Sequence, residues 1–264
     1  MNTTQLELLC QQTSLLVTSV ADFIRGEVGK VTGEKIEVKS LNSLVSYVDK
    51  TAERMLVAGL SELLPGSTFL TEEETVEQTT GEFQWIIDPL DGTTNFLHQL
   101  PCFAVSVALR HREEIVLGIV YEVNRHECFS AWKDGGAWLN GQRIRTSAII
   151  GLADSLVATG FPYREFDTMH RYIAILQDLM KSTRGLRRYG AAAVDLAYVS
   201  CGRFDSFFEY GLAAWDVAAG VLLVQEAGGK VSDFGGGDDY LFGGRLLAAA
   251  PGVFEEMLEL MKRH

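Results

Sequence analysis

The 264-residue chain has no run of lysine or arginine, no CxxC pair, no HxH or HExxH spacing, no Walker A loop and no GxGxxG loop. Each absence excludes something. With a net charge of -12 and no basic stretch, the average field repels nucleic acid and anionic lipid, so neither a nucleic acid nor a membrane is expected as a partner. Arg184, Arg187 and Arg188 form the densest basic group, and read equally well as solvated surface or as a local anion contact. The missing histidine and cysteine spacings make zinc a poor candidate. Without a nucleotide-cradling glycine loop, hydrolysis is favoured over ATP-driven transfer.

Cysteine is scarce as well: Cys10, Cys102, Cys128 and Cys201 are far apart in the chain. They read as free thiols rather than disulfides, which suits a reducing compartment and a cytoplasmic protein. The first residues, MNTTQLELLCQQTSLLVTSVADFI, carry neither a basic n-region nor a long unbroken apolar run. They predict an amphipathic helix over 4–26 rather than a signal peptide or anchor.

A second helix is predicted over 44–64, stopped by Pro65 and Gly66. Two helices therefore precede the first expected strand, WII at 85–87, which is expected to end at Asp88. The segments at 103–110, 115–123 and 127–133 are β-rich and joined by short polar links, and DGGAWLNG at 134–141 continues them. This predicts a largely antiparallel meander. From residue 155 the pattern alternates: strand LVATGF, helix 168–181, helix 191–202, strand 204–211, a helix from Trp215 closed by two glycines, then a final strand and helix. The expected organisation is an antiparallel-rich half over 1–150 and an α/β half over 151–264 that completes a site with it.

The densest chemistry lies in IIDPLDGTTNF at 86–96. Pro89 fixes its own φ and discourages helical geometry at Asp88, while Asp91, Gly92, Thr93 and Thr94 offer carboxylate, close backbone approach and hydroxyls. Alone, Pro-Leu-Asp-Gly is compatible with an ordinary turn. Its neighbours change the reading, because TEEE at 71–74 precedes the strand and Trp215–Asp216 open a distant apolar helix. Acids gathered from separate element ends repel one another unless water, protons or cations offset them. Mg²⁺, with its preference for oxygen ligands and retained waters, meets that need, and the combination points to phosphate-ester hydrolysis.

WIIDPLDGTTNF at 85–96, WDVAAG at 215–220 and EAGG at 226–229 closely resemble the inositol monophosphatase family of magnesium-dependent, lithium-sensitive phosphatases, in order from about residue 37 to residue 250. The resemblance implies an α/β fold, an αβαβα sandwich, with the site between its halves. It implies a metal set of Glu72, Asp88, the Leu90 carbonyl, Asp91 and Asp216. Asp49 and Thr93 would handle the attacking water beside Glu72. Gly92, Thr93 and Thr94 would receive phosphate, while Asp91, Gly190, Ala191, Glu209 and Asp216 would line the substrate site. Lys39 lies near the family's loop lysine, and Arg187 resembles a pocket-rim or interface arginine. Ser43 and Ser46 depart from the family's usual Asp and Thr.

The same resemblance implies Mg²⁺ as cofactor, a homodimer, and a small phosphorylated polyol, inositol monophosphate, hydrolysed to inositol and phosphate by a metal-activated water. Related folds act on histidinol phosphate, fructose 1,6-bisphosphate, NADP or 3'-phosphoadenosine 5'-phosphate. A catalytically silent structural protein is the remaining alternative. Trp85 and Trp215 are expected to pack rather than bind substrate, Glu73 and Glu74 to be solvated, and His98 to lack a ligand role.

Overall fold

The computed structural model describes residues 1–31, 36–40, 43–163 and 166–264. Its five layers alternate helix and sheet, and each layer is explained by where its apolar side chains go. Helix α1 (Thr3–Glu27) and helix α2 (Tyr47–Leu63) form the first layer. Each turns one stripe inward, Leu6, Leu9, Val17, Val20 and Ile24 on α1 and Val48, Ala52, Leu56 and Leu60 on α2. The α2 start is written locally: Ser46 caps the helix and Asp49, three residues on, reaches back to it in a capping box.

The second layer is a seven-stranded sheet of β3 (Thr68–Thr71), β4 (Phe83–Asp91), β5 (Ala104–His111), β6 (Glu114–Glu122), β7 (Glu127–Trp132), β8 (Gly136–Leu139) and β9 (Gln142–Ile144), in that spatial order. From β4 to β9 it is the antiparallel meander; β3 pairs parallel with β4. Side chains alternate between its faces. Trp85, Ile87, Val105, Val107, Leu117 and Ile119 pack on α1 and α2. Ile86, Ala104, Ala108 and Val120 face the opposite way, toward the middle layer. Burial on both sides explains why β5 and β6 read as near-continuous apolar runs.

The middle layer is α5 (Ala192–Ser200), buried along its whole length, and α6 (Ala214–Glu226), buried on every side from Val217 to Val224. Gly118 on β6 lets α6 approach closely, since a Cβ there would meet the Ala219 carbonyl oxygen at 2.7 Å and its Cα at 3.0 Å. The fourth layer is a five-stranded sheet containing β10 (Leu156–Thr159), β11 (Gly185–Arg187), β12 (Ser206–Tyr210), β13 (Lys230–Ser232) and β14 (Arg245–Ala249) in the order β11-β10-β12-β14-β13. Its first three strands are parallel and the last two pair antiparallel. Helix α4 (Met169–Ser182) and helix α7 (Pro251–Arg263) close the stack, through Tyr172, Ile175, Val253 and Met257 against Val157, Phe208 and Leu247. The αβαβα expectation is met.

Three local expectations need correction. Two helices do not precede the first strand: a hairpin of β1 (Ile36–Ser40) and β2 (Ser43–Ser46), then β3, come before β4. The helix predicted over 44–64 accordingly begins only at Tyr47, where the Ser46 cap allows it. Nor does β4 end at Asp88. Asp88 pairs with Ser106 and Asp91 with Ala104, so three steps on β4 match two on β5. Pro89 cannot donate to the ladder, and the strand absorbs it as a bulge that bends without ending.

Candidate active site

The bulge aims the acids. Asp88, 1% exposed, turns its carboxylate back on its own chain, and Oδ1 accepts the Leu90 N–H at 2.9 Å. Asp91 reaches across to the middle layer, where its Oδ2 accepts the Ala193 N–H at 2.7 Å. The residue at the start of α5, Ala191, has no side-chain oxygen to cap the helix; Asp91 does so from a hundred positions away in sequence. Glu72, one residue past β3, is held through its N–H to the Ile87 carbonyl at 3.2 Å. Asp216 lies in the first turn of α6, and its Oδ2 accepts the Ala213 N–H at 2.7 Å. The preceding residue is tied to the first sheet, since the Ser106 hydroxyl donates to the Trp215 carbonyl at 3.2 Å.

These four carboxylates feel one another. Burial pushes Asp88 well above the ordinary carboxylate value, and Glu72, Asp91 and Asp216 push it the same way, against the Leu90 amide. Asp91 is raised by burial and by Asp216, opposed by the amide of Ala193. Such a cluster costs folding energy unless a cation offsets it. The donors are hard oxygens throughout, which suits Mg²⁺ and gives nothing to a soft metal. Among the described residues, no three His, Cys, Asp or Glu side chains stand in a ready coordination arrangement; the fit lies in the chemistry of the donor set.

Beside the cluster, the Thr93 hydroxyl stands 3.0 Å from Asp49 Oδ1 and 3.0 Å from the Leu90 carbonyl oxygen. Its single proton serves one acceptor at a time. Asp49 Oδ2 is occupied by the Ser46 N–H at 2.9 Å and the Ser46 hydroxyl at 2.7 Å. Burial raises Asp49 above the ordinary carboxylate value, against these hydrogen bonds.

A cleft of about 170 Å³ opens above, lined among others by Glu72, Asp91, Gly190, Ala191, Glu209 and Asp216. Glu209, near the end of β12, is raised well above the usual range by burial, then by Asp216 and Asp91, with Arg188 opposing. Gly160 makes room for it: a Cβ there would fall 1.9 Å from Glu209 Oε1. Gly92 has φ +88, and a Cβ would meet the Cys102 carbonyl oxygen at 3.0 Å and the Gly190 carbonyl oxygen at 3.3 Å. The short helix α3 (Thr93–Leu97) is stitched to the far wall by Asn95, whose Nδ2 donates to the Cys102 and Tyr189 carbonyls, each at 2.8 Å.

Thr94 is exposed and Asp88 is buried, and neither lines the cleft; nor do Asp49, Leu90, Gly92 and Thr93. Arg187 sits exposed on the edge strand β11, and it is Arg188 that lines the cleft, stacked over Phe161 and Tyr163 at 5.3 and 5.6 Å. The side chains of Lys39 and Ser43 lie outside the described residues. Trp85 is buried in the core, Trp215 reaches the cleft wall, Glu74 is exposed, and Glu73 is only partly so. His98 follows α3 at the surface. Gly160, Asn95 and the buried Glu53 have no role in the sequence reading, and Arg188 stands in it only as one of three basic candidates. For Glu53 a signal existed: an acid among the apolar positions of α2.

The sequence profile of the inositol monophosphatase family matches residues 5–263. This chain belongs to that family. Family members are generally metal-dependent, and the family is one of phosphatases. The chain is 41% identical over 238 residues to the inositol-1-monophosphatase of Mesorhizobium japonicum, covering 90% of each chain. It is 46% identical over 225 residues to the Nus factor SuhB of Escherichia coli K12, covering 85% of this chain and 84% of the relative. Among solved structures it is similar to the extragenic suppressor protein suhB of Bartonella henselae, with a TM-score of 0.91, 36% identity and 97% and 99% coverage. The inositol monophosphatase from Anabaena superposes with a TM-score of 0.86 at 32% identity, covering 98% and 97%. No helix among the described residues is long and apolar enough to cross a membrane.

Proposed function

We propose that this inositol monophosphatase family member is a Mg²⁺-dependent phosphomonoesterase that hydrolyses inositol monophosphate. The observation that carries the reading is the Thr93–Asp49 hydrogen bond set beside four mutually repelling carboxylates. Mg²⁺ held by Glu72, Asp88, Asp91, Asp216 and the Leu90 carbonyl would offset their charge, stabilise phosphoryl oxygens and acidify a water. The chain does the rest. Thr93 Oγ1 accepts a proton from the attacking water while its own proton passes to Asp49 Oδ1, which burial has made a stronger base than a surface carboxylate. Ser46 fixes the other Asp49 oxygen, so only Oδ1 is left to receive that proton. Gly92, at positive φ, brings the backbone of the Thr93–Thr94 turn close to the phosphate position.

At the opposite wall, Glu209 accepts polyol hydroxyls, with Gly190 and Ala191 shaping the space beside it. The test is a parallel kcat/KM comparison of inositol 1-phosphate, histidinol phosphate, fructose 1,6-bisphosphate, NADP and 3'-phosphoadenosine 5'-phosphate, with Mg²⁺ and with EDTA. Inositol 1-phosphate should lead. A competitor preferred by about tenfold, roughly 1.4 kcal/mol of transition-state discrimination, rejects the inositol assignment. No metal-dependent release from any of them rejects the enzyme.

A homodimer and a cytoplasmic location belong to the same reading, supported by family membership and by four free cysteines; light scattering at micromolar concentration checks the mass. The name Nus factor on the Escherichia coli relative supports a second role alongside hydrolysis. That name does not fit an expectation of no nucleic-acid partner, which rested on net charge, and the expectation is not carried forward. A nucleic-acid binding titration at physiological salt tests it.

A further inference from the structure

Glu53 is a buried acid with no task in the chemistry above. It lies on α2 one helical turn after Asp49 and is 0% exposed. Both of its oxygens go to one segment. Oε2 accepts the Glu73 N–H at 2.8 Å, and Oε1 accepts the Thr75 N–H and the Thr75 hydroxyl, each at 2.7 Å. Between those two amides Glu74 has φ +50, a left-handed backbone that disfavours any residue with a Cβ. The turn is thus wrapped around a carboxylate, with its amides converging on an anion as in a backbone nest.

Charge gives no reason for this arrangement. Glu72, Glu73 and Glu74 already crowd three acids together, and a fourth glutamate beside them opposes folding unless hydrogen bonds more than compensate. The base of the loop is closed separately, by the Thr71 N–H to Gln78 Oε1 at 2.7 Å and Gln78 Nε2 to the Thr71 hydroxyl at 3.1 Å. The stretch Glu73–Thr75, directly after the cleft-lining Glu72, has Glu53 as its inward anchor.

We infer that Glu53 is a positioning residue: it folds the 73–75 turn and thereby holds the Glu72 carboxylate at the acidic cluster. Helix α2 then governs both ends of the site, the Thr93 hydroxyl through Asp49 and Glu72 through Glu53. This rests on the reading of the cluster as a Mg²⁺ site. Its signature is a change in metal affinity, separate from the proton-transfer defect expected at Asp49.

Glu53→Gln is the direct test, because it keeps size while replacing one acceptor by an NH₂ that faces donors. Three quantities are measured on the full chain: amide hydrogen exchange at residues 73 and 75 without metal, Mg²⁺ binding by calorimetry, and the Mg²⁺ dependence of phosphate release. Exchange should quicken at both amides. Mg²⁺ affinity should fall about 10- to 100-fold, the range for residues that orient metal ligands, while kcat at saturating Mg²⁺ stays within about threefold. Thr75→Val, which deletes only the hydroxyl bond, should shift Mg²⁺ affinity the same way by a smaller factor, and it decides the matter should the glutamine variant not fold. Unchanged Mg²⁺ affinity in a folded variant, even with lowered thermal stability, overturns the inference and leaves Glu53 a packing residue. Wild-type protein that releases no phosphate overturns the phosphatase reading instead; exchange and calorimetry need no turnover and still decide the role of Glu53.

Discussion

Replacing Asp49 by asparagine should separate chemistry from folding. The carboxylate is 1% exposed and its two oxygens have different duties. Oδ2 holds the Ser46 N–H and hydroxyl at 2.9 and 2.7 Å, and Oδ1 faces the Thr93 hydroxyl at 3.0 Å. Asparagine fits with its carbonyl toward Ser46, which preserves the helix cap. Its NH₂ then points at Thr93, which must accept from it and donate to the Leu90 carbonyl at 3.0 Å. Each bond to a neutral acceptor is weaker by about 1 kcal/mol than one to a carboxylate, but a buried charge is also removed, and the two offset. Net stability should move by no more than about 1 kcal/mol, a melting shift of roughly 2–4 °C. Turnover should not survive, because the proton sink is gone: a loss of about 10²- to 10⁴-fold is expected from removing a general base, or about 2.7–5.4 kcal/mol. The assay is kcat and KM for inositol 1-phosphate at saturating Mg²⁺, beside a melting curve. Turnover within about threefold of wild type in a folded Asp49→Asn protein would refute the relay. So would a Thr93→Val variant of normal kcat.

Asp91→Ala leaves the Ala193 amide without its cap, a cost of about 1–3 kcal/mol set against relief of the repulsion with Asp88 and Asp216, whereas Asp91→Asn gives the same relief and keeps an acceptor; thermal melts in EDTA should rank Asp91→Asn above Asp91→Ala. Metal-free stability should fall with rising pH. Asp88, Asp91 and Glu209 have folded pKa values raised above their unfolded ones, so the folded state binds more protons. Their contribution is full below about pH 4 and is lost as pH rises through the folded values. Melts in EDTA across pH 5–9 should show the decline, Mg²⁺ should flatten it, and a rise with pH contradicts the cluster. Gly160→Ala should drive the Glu209 carboxylate aside, lowering kcat/KM for inositol 1-phosphate about tenfold or more while an aryl phosphate is spared. Equal losses on both substrates speak against polyol recognition at Glu209.

Much of the fold was legible because burial on two faces writes long apolar strands. The segments predicted at 103–110 and 115–123 match β5 and β6 to within a residue or two. What stayed hidden was short or chosen by a distant partner. TFLT at 68–71 carries no periodic signal, and only its parallel pairing with β4 makes it a strand. KVS at 230–232 is likewise made a strand by β14. Pro89 misled because a breaker rule does not say whether a chain stops or bulges. For the site, the acids of 88–91 announced themselves by crowding, whereas Arg188 was one of three basic candidates, and only the fold turns it to the cleft. Glu53 lacks a motif altogether; its partners are twenty and twenty-two residues away.

The all-round burial of α5 and α6 bears on the order in which the protein can be made. A helix without a polar face cannot rest against one sheet and wait in water. The first sheet is complete at Ile144, yet the face carrying Ile86, Ala104, Ala108 and Val120 gets its cover only when residues 192–226 have been synthesised. During that interval the nascent chain carries a bare apolar sheet, the kind of surface that chaperones engage and that aggregates when they do not. Translation pauses or truncations between residues 145 and 226 should therefore be the most hazardous in the chain, while damage confined to α7 leaves that face covered.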